Sequence, residues 1–142
     1  MKLITRALAY ELLVSVCTPL EIMDKITCHK HLGQAGESFA VDWLIEKGYQ
    51  IIKQNYHAPG GEIDIIAWCP REKFCLMVEV KTRSHDGGLA AINSQKVRRM
   101  KRAAEHYFFV YLKRQYAPDF ELWGLAIERK GKTLSVVDWQ AL

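Results

Sequence analysis

Residues 60–84, GGEIDIIAWCPREKFCLMVEVKTRS, constrain the fold more than any other stretch, because they read as two apolar strands joined by the short polar turn PREK. Side chains alternate along a strand. Glu62, Asp64, Ile66 and Trp68 therefore share one face of the first strand, and Cys75, Met77, Glu79 and Lys81 share one face of the second. A hairpin closed symmetrically between Arg71 and Glu72 sets Asp64 opposite Glu79, with Lys81 one step further along the same face. Directly paired residues have Cβ atoms roughly 5 Å apart. Two ionised carboxylates at that separation repel by about 3 kcal/mol at an effective dielectric near 20. A sheet discards such a pair unless something positive lies between its members.

The rest of the chain frames this hairpin. At 142 residues it is long enough for one core but not for two. Helical spacing of Ala35, Phe39, Trp43 and Leu44 predicts a helix over residues 31–48, stopped by Gly48. YQIIKQNYHA, closed by Pro59, Gly60 and Gly61, predicts a first strand. After the loop SHDGGLAAINS, a long helix is expected over residues 94–113. Its apolar face is Val97, Met100, Ala103, Ala104, Tyr107, Phe108, Tyr111 and Leu112, and its other face is basic. Tyr107, Phe108, Phe109 and Tyr111 are expected to pack in the core. FELWGLAI and LSVVDW predict a terminal strand pair around the turn at residues 129–132. The order helix-strand-strand-strand-helix-strand-strand is an α/β chain with a single mixed sheet and helices packed on it.

Residues 1–22 read as an N-terminal extension ahead of a domain over residues 23–142, with Met23 an alternative start. Within it ALAYELLVSVCTPL follows Lys2 and Arg6, but Glu11 interrupts the apolar run and no A-x-A-like site follows. Fourteen residues are too few to span a bilayer, so a short amphipathic helix is the expectation, with no membrane partner. Cys17, Cys28, Cys69 and Cys75 show no C-x-x-C pairing. Reduced thiols in a cytoplasmic protein fit that usage.

A divalent cation would satisfy Asp64 and Glu79. Mg²⁺ takes oxygen ligands and needs only one or two protein carboxylates beside water and substrate phosphate oxygens. A metal there could polarise a phosphodiester, and Lys81 would orient the attacking water or balance developing negative charge. The alternative is a salt bridge of Glu79 or Asp64 with Lys81 on a solvated face. Spacing alone does not separate these readings.

The wording around the three residues adds to it. GGEIDIIA, then VEVKTRS, preceded by GQAGESFAVDWLIEKGY, resembles the YraN-like family of small bacterial proteins, which looks like a branch of the restriction-endonuclease-like, PD-(D/E)XK superfamily. The resemblance runs over residues 31–120 and implies a restriction-endonuclease-like fold. It implies that Asp64 is the metal-binding aspartate, although Ile63 rather than proline precedes it, and that Glu79 and Lys81 are the (D/E)XK pair. Glu37 matches the acid that resolvase-like members bring to the metal through water, although a first-turn acid favoured by the helix dipole reads equally well. Gln95 and Lys96 fall where related nucleases approach the phosphate from the next helix. The implied chemistry is Mg²⁺-dependent phosphodiester hydrolysis, with Mn²⁺ as a substitute. Junction-cutting resolvases are the nearest analogy, and they act as homodimers. His57 stands where the family usually has arginine. DFELW stands where an R-F-D-type strand is usual, so that Asp119 and Glu121 depart from the pattern.

Charge distribution names the expected partner. Residues 91–115 carry seven basic side chains against the single acid Glu105, a local +6 in a chain of net +4, so the remainder is −2. Lys96, Arg98, Arg99 and Arg102, with Arg83 beyond Lys81, form a nucleic-acid surface in this reading, DNA before RNA, because lysine and arginine contacts to phosphate dominate such affinity. Glu62 reads as a solvated acid after two turn glycines. A binding module without hydrolysis, or an interaction protein meeting an acidic partner with its basic helix, are the competing functions.

Overall fold

The computed structural model describes residues 29–83 and 89–142. The expected extension at residues 1–22 and its helix, and His85 and Asp86 of the glycine loop, lie outside the described residues. The chain divides into two compact units, Met1–Leu32 and Gly33–Leu142; of the first, only the opening of a helix is described.

Helix α1 (His29–Glu46) stops where Gly48 takes φ 90°. That left-handed residue lets the N–H groups of Gly48 and Tyr49 donate back to the carbonyls of Ile45 and Leu44, at 2.9 and 3.0 Å, which satisfies helix carbonyls left open. Strand β1 (Gln50–Ala58) turns through Gly60 into β2 (Gly61–Cys69), and β3 (Phe74–Arg83) follows. Helix α2 (Ser94–His106), capped by Asn93, crosses over to β4 (Phe120–Lys130), which pairs with β5 (Thr133–Ala141). The five strands form one sheet in the order β1-β2-β3-β4-β5. Every neighbouring pair is antiparallel except β3 with β4, which is parallel. The expected α/β chain with a single mixed sheet is what forms. Among the described residues no helix is long and apolar enough to cross a membrane.

Strands β2 and β3 are covered on both faces, which explains their near-continuous apolar runs. Ile65, Ala67, Leu76 and Val78 pack with Ala40, Val41 and Leu44 of α1 and with Leu125 and Ile127 of β4. Ile66, Cys75 and Met77 pack with Ala103, Ala104, Tyr107 and Phe108. Helix α2 reaches the sheet so closely because Gly61 has no side chain; a Cβ there would overlap the carbonyl oxygen of Arg99. A backbone group cannot rotate aside. Gly61→Ala is expected to destabilise the chain by about 1–3 kcal/mol, as overpacking does, whereas Gly33→Ala, with open space around it, should be neutral or slightly stabilising. Urea unfolding of the two variants checks this.

The α-helical part of α2 ends at His106, seven residues before the expected end, and continues as a π-helical turn, Tyr107–Tyr111. Apolar periodicity alone cannot tell the two windings apart. The wider turn has the N–H of Leu112 donating to the carbonyl of Tyr107 at 2.9 Å, and Lys113 then terminates it at φ 52°. Tyr107 and Phe108 are buried as expected. Phe109 and Tyr111 are not: they are 46% and 54% exposed.

Candidate active site

The β2–β3 ladder runs from Cys69 paired with Phe74 to Ile65 paired with Val78, the register of the symmetric hairpin, with residues 70–73 as its loop. Just past its end Asp64 and Glu79 face the same region. The Val80 N–H donates to Asp64 Oδ2 at 2.7 Å, which fixes the Asp64 carboxylate against β3. Glu79, almost fully buried, sits on the central strand beside Gly124 of β4.

Positive charge does lie beside this pair, and two lysines supply it. Lys81 Nζ is 2.6 Å from Glu79 Oε1, so the salt bridge runs along β3. Lys96 Nζ, from the first turn of α2, is 3.0 Å from Glu79 Oε2 and also 3.0 Å from Glu62 Oε1. His57 Nδ1 stands 3.7 Å from Glu62 Oε2. Burial first, and then the negative charge of Glu79, push the Asp64 carboxyl up to about 7, against the opposing Val80 hydrogen bond and Lys96 charge. Burial pulls the Lys96 ammonium down, but its bond and attraction to Glu79 and to Glu62 outweigh this and raise it. The hydrogen bond from Lys96, then its charge, lower the Glu62 carboxyl.

Half-buried Glu37 on α1 adds its negative charge to the forces that raise Asp64. It does not complete a cage: among the described residues no three His, Cys, Asp or Glu side chains are grouped to hold a metal ion. What converges is two carboxylates, one of them buried and gathering cations. That donor set suits a hard cation that keeps most of its waters and takes further oxygens from a phosphate. Binding it requires Glu79 to exchange at least one ammonium partner for the metal.

The other expected site residues spread around this centre. Gln95 is exposed in the first turn of α2, and Arg83 is half-buried at the end of β3. Arg98, Arg99 and Arg102 are exposed along α2. Arg99 lines, with His57, Ala58, Gly60, Gly61, Glu62 and Lys96, a cleft of about 450 Å³ that opens beside Glu79's partner Lys96. A model of the uncharacterised protein family UPF0102 matches residues 36–128, a span that holds Glu37, the hairpin and all of α2. The chain belongs to UPF0102.

The YraN-like resemblance of the motifs is thus shown. A UPF0102 protein of Synechocystis is 44% identical over 80 residues, 54% of this chain and 53% of that one, so the chain spans about half the length of this relative. One from Dictyoglomus thermophilum is 32% identical over 117 residues, 80% of this chain and 95% of its own length. One from Mycobacterium tuberculosis is 41% identical over 90 residues, 61% and 67% of the two chains.

In this UPF0102 chain Lys96 is expected among the phosphate-binding residues and Glu62 as a solvated acid. The structure puts both in one ion-pair network with Glu79. The signal that could have found them was Gly61: a side-chain-free residue beside Glu62 lets α2 come close enough for a lysine to reach into the sheet.

Proposed function

We propose that this UPF0102 protein has a restriction-endonuclease-like fold and acts as a Mg²⁺-dependent endonuclease on DNA, branched or single-stranded, with Mn²⁺ as a substitute. The observation that carries the reading is the convergence of Asp64, buried Glu79 and Lys81 at the end of the β2–β3 ladder. Asp64 and Glu79 would hold the metal, and Glu37 would reach it through water. The metal, when bound, would supply a Lewis acid that polarises the phosphodiester and eases deprotonation of the attacking water. Lys81, released from part of its contact with Glu79, holds that water and offsets charge developing on the phosphate. Lys96 is anchored by Glu62 and stays at the same spot to meet a phosphate oxygen, with Gln95 beside it. Arg83, Arg98, Arg99 and Arg102 hold the flanking backbone without reading sequence.

A cleavage screen over linear, single-stranded, flapped and four-way DNA tests this. Lys81→Ala is expected to lower the rate at least a hundredfold, roughly the loss on removing one charge-stabilising group. Activity surviving that substitution would mean another catalytic site or a contaminant.

One observation favours a second reading, a nucleic-acid-binding module that does not hydrolyse. Two ammonium groups already neutralise Glu79, so the pair of acids is tolerated without metal. Calorimetry with Mg²⁺ and Mn²⁺ decides: heat of binding lost in Asp64→Ala supports the enzyme, and no binding in either protein supports the module.

A further inference from the structure

The positive face of α2 continues past the candidate site, and β1 runs beside it in the opposite direction. Three points mark a track between them. At one end His57 of β1 and Lys96 and Arg99 of α2 line the same cleft. In the middle the Tyr56 hydroxyl and His106 Nδ1 lie 2.6 Å apart. At the far end the Lys53 ammonium stands 4.9 Å from the centre of the Tyr111 ring. The β1 residues descend as the α2 residues rise, so the three points fall in one order along both elements, with Tyr56 buried at the middle one, and Lys96 to Tyr111 spans roughly 20 Å at a helical rise.

The π-helical turn shapes the far end. Tyr111 lies against Tyr56, with ring centres 5.8 Å apart, and stacks on Tyr107 at 5.6 Å with planes 18° apart. Its ring is thus held in a fixed orientation and is still 54% exposed. Exposed Lys113 and Arg114 follow two and three residues later. A rigid, solvent-facing ring set among cations suits an unpaired base, because stacking on an aromatic ring needs a base whose own face is uncovered. Lys53 covers the ring only through a cation–π contact, a weak interaction at an exposed site. A stacking base can displace it, and its ammonium then has the adjoining phosphate to meet.

We propose that the β1–α2 track carries a single strand away from the candidate site, with phosphates on Arg99 and Lys53 and an unpaired base stacked on Tyr111. This rests on the reading of the site as one for phosphodiesters and narrows its substrate to nucleic acid with an unpaired stretch. It also turns Tyr111, expected in the core, into a ligand contact.

Fluorescence anisotropy in EDTA, where no cleavage intervenes, tests it with a labelled oligonucleotide of about 20 bases, several times the smaller single-strand site sizes, and a blunt duplex of the same length. Tyr111→Ala is expected to weaken the single strand about tenfold, within the range of one lost stacking contact, and to leave the duplex within about twofold. Tyr111→Trp should restore the single-strand affinity, and Arg99→Glu should weaken both ligands and lower the salt dependence. If Tyr111→Ala weakens both ligands equally, or neither while duplex binding and cleavage persist, the track is wrong and the site reading stands. If the unaltered protein binds neither ligand, the track is wrong, and the cleavage screen alone decides the reading of the site. A dimer in sedimentation that Tyr111→Ala dissolves, with oligonucleotide affinity unchanged, would give this surface to a second copy and overturn the proposal.

Discussion

Asp64→Asn is expected to stabilise the metal-free chain at pH 8 while abolishing the proposed metal binding. The Asp64 carboxyl is pushed up to about 7 in the fold, above the ordinary range of an aspartate. Its folded value is therefore raised, so the stability it contributes is complete below about pH 4 and is lost as pH rises through about 7. Above that, the folded chain carries an ionised, largely desolvated carboxylate facing Glu79. That elevation corresponds to an upper limit of about 4 kcal/mol. An amide keeps an oxygen to accept the Val80 N–H and carries no charge at any pH. Urea unfolding in EDTA at pH 5 and pH 8 should therefore show the variant's advantage growing with pH. A difference between the two proteins that is the same at both pH values would mean that the fold does not raise Asp64.

Glu79→Ala has the opposite sign. Lys81 and Lys96 then face each other at the sheet without their shared acid, and Lys96 is only 20% exposed at its side chain. Removing one partner of a buried pair costs about 3–5 kcal/mol, because the remaining charge is left uncompensated. Lys81, more exposed, places the expectation at the lower end. Adding Lys96→Met to Glu79→Ala should recover a large part of the loss, so the double variant will not be the sum of the singles. Two acids of one site, one whose removal stabilises and one whose removal destabilises, are a sharper signature than either variant alone.

How much of this could be read from the sequence varied with the range of the forces involved. The hairpin register was legible because a four-residue polar turn between two alternating strands leaves one symmetric closure, and that closure places Asp64 near Glu79. The stop at Gly48 was legible for a similar local reason. The end of α2 was not, since Tyr107, Phe108, Tyr111 and Leu112 fit a helical stripe whether the chain winds as α or as π. Lys96 was sorted onto the outer basic face because its reach to Glu79 depends on how near α2 lies to β2, a tertiary distance set by Gly61 and Arg99. Glu62 was lost with it, being exposed by itself and significant only through its partner.

The parallel pairing of β3 with β4 sets the order in which the centre comes together. The β2–β3 hairpin involves neighbours in sequence and closes on the microsecond scale. Glu79 and Lys81, however, lie alongside Gly124 and Ala126, which arrive only after the crossover through α2 has been threaded and closed, a slow, non-local event. A chain ending before β4 would therefore leave the strand that bears Glu79 as an open sheet edge, a template for pairing with another chain.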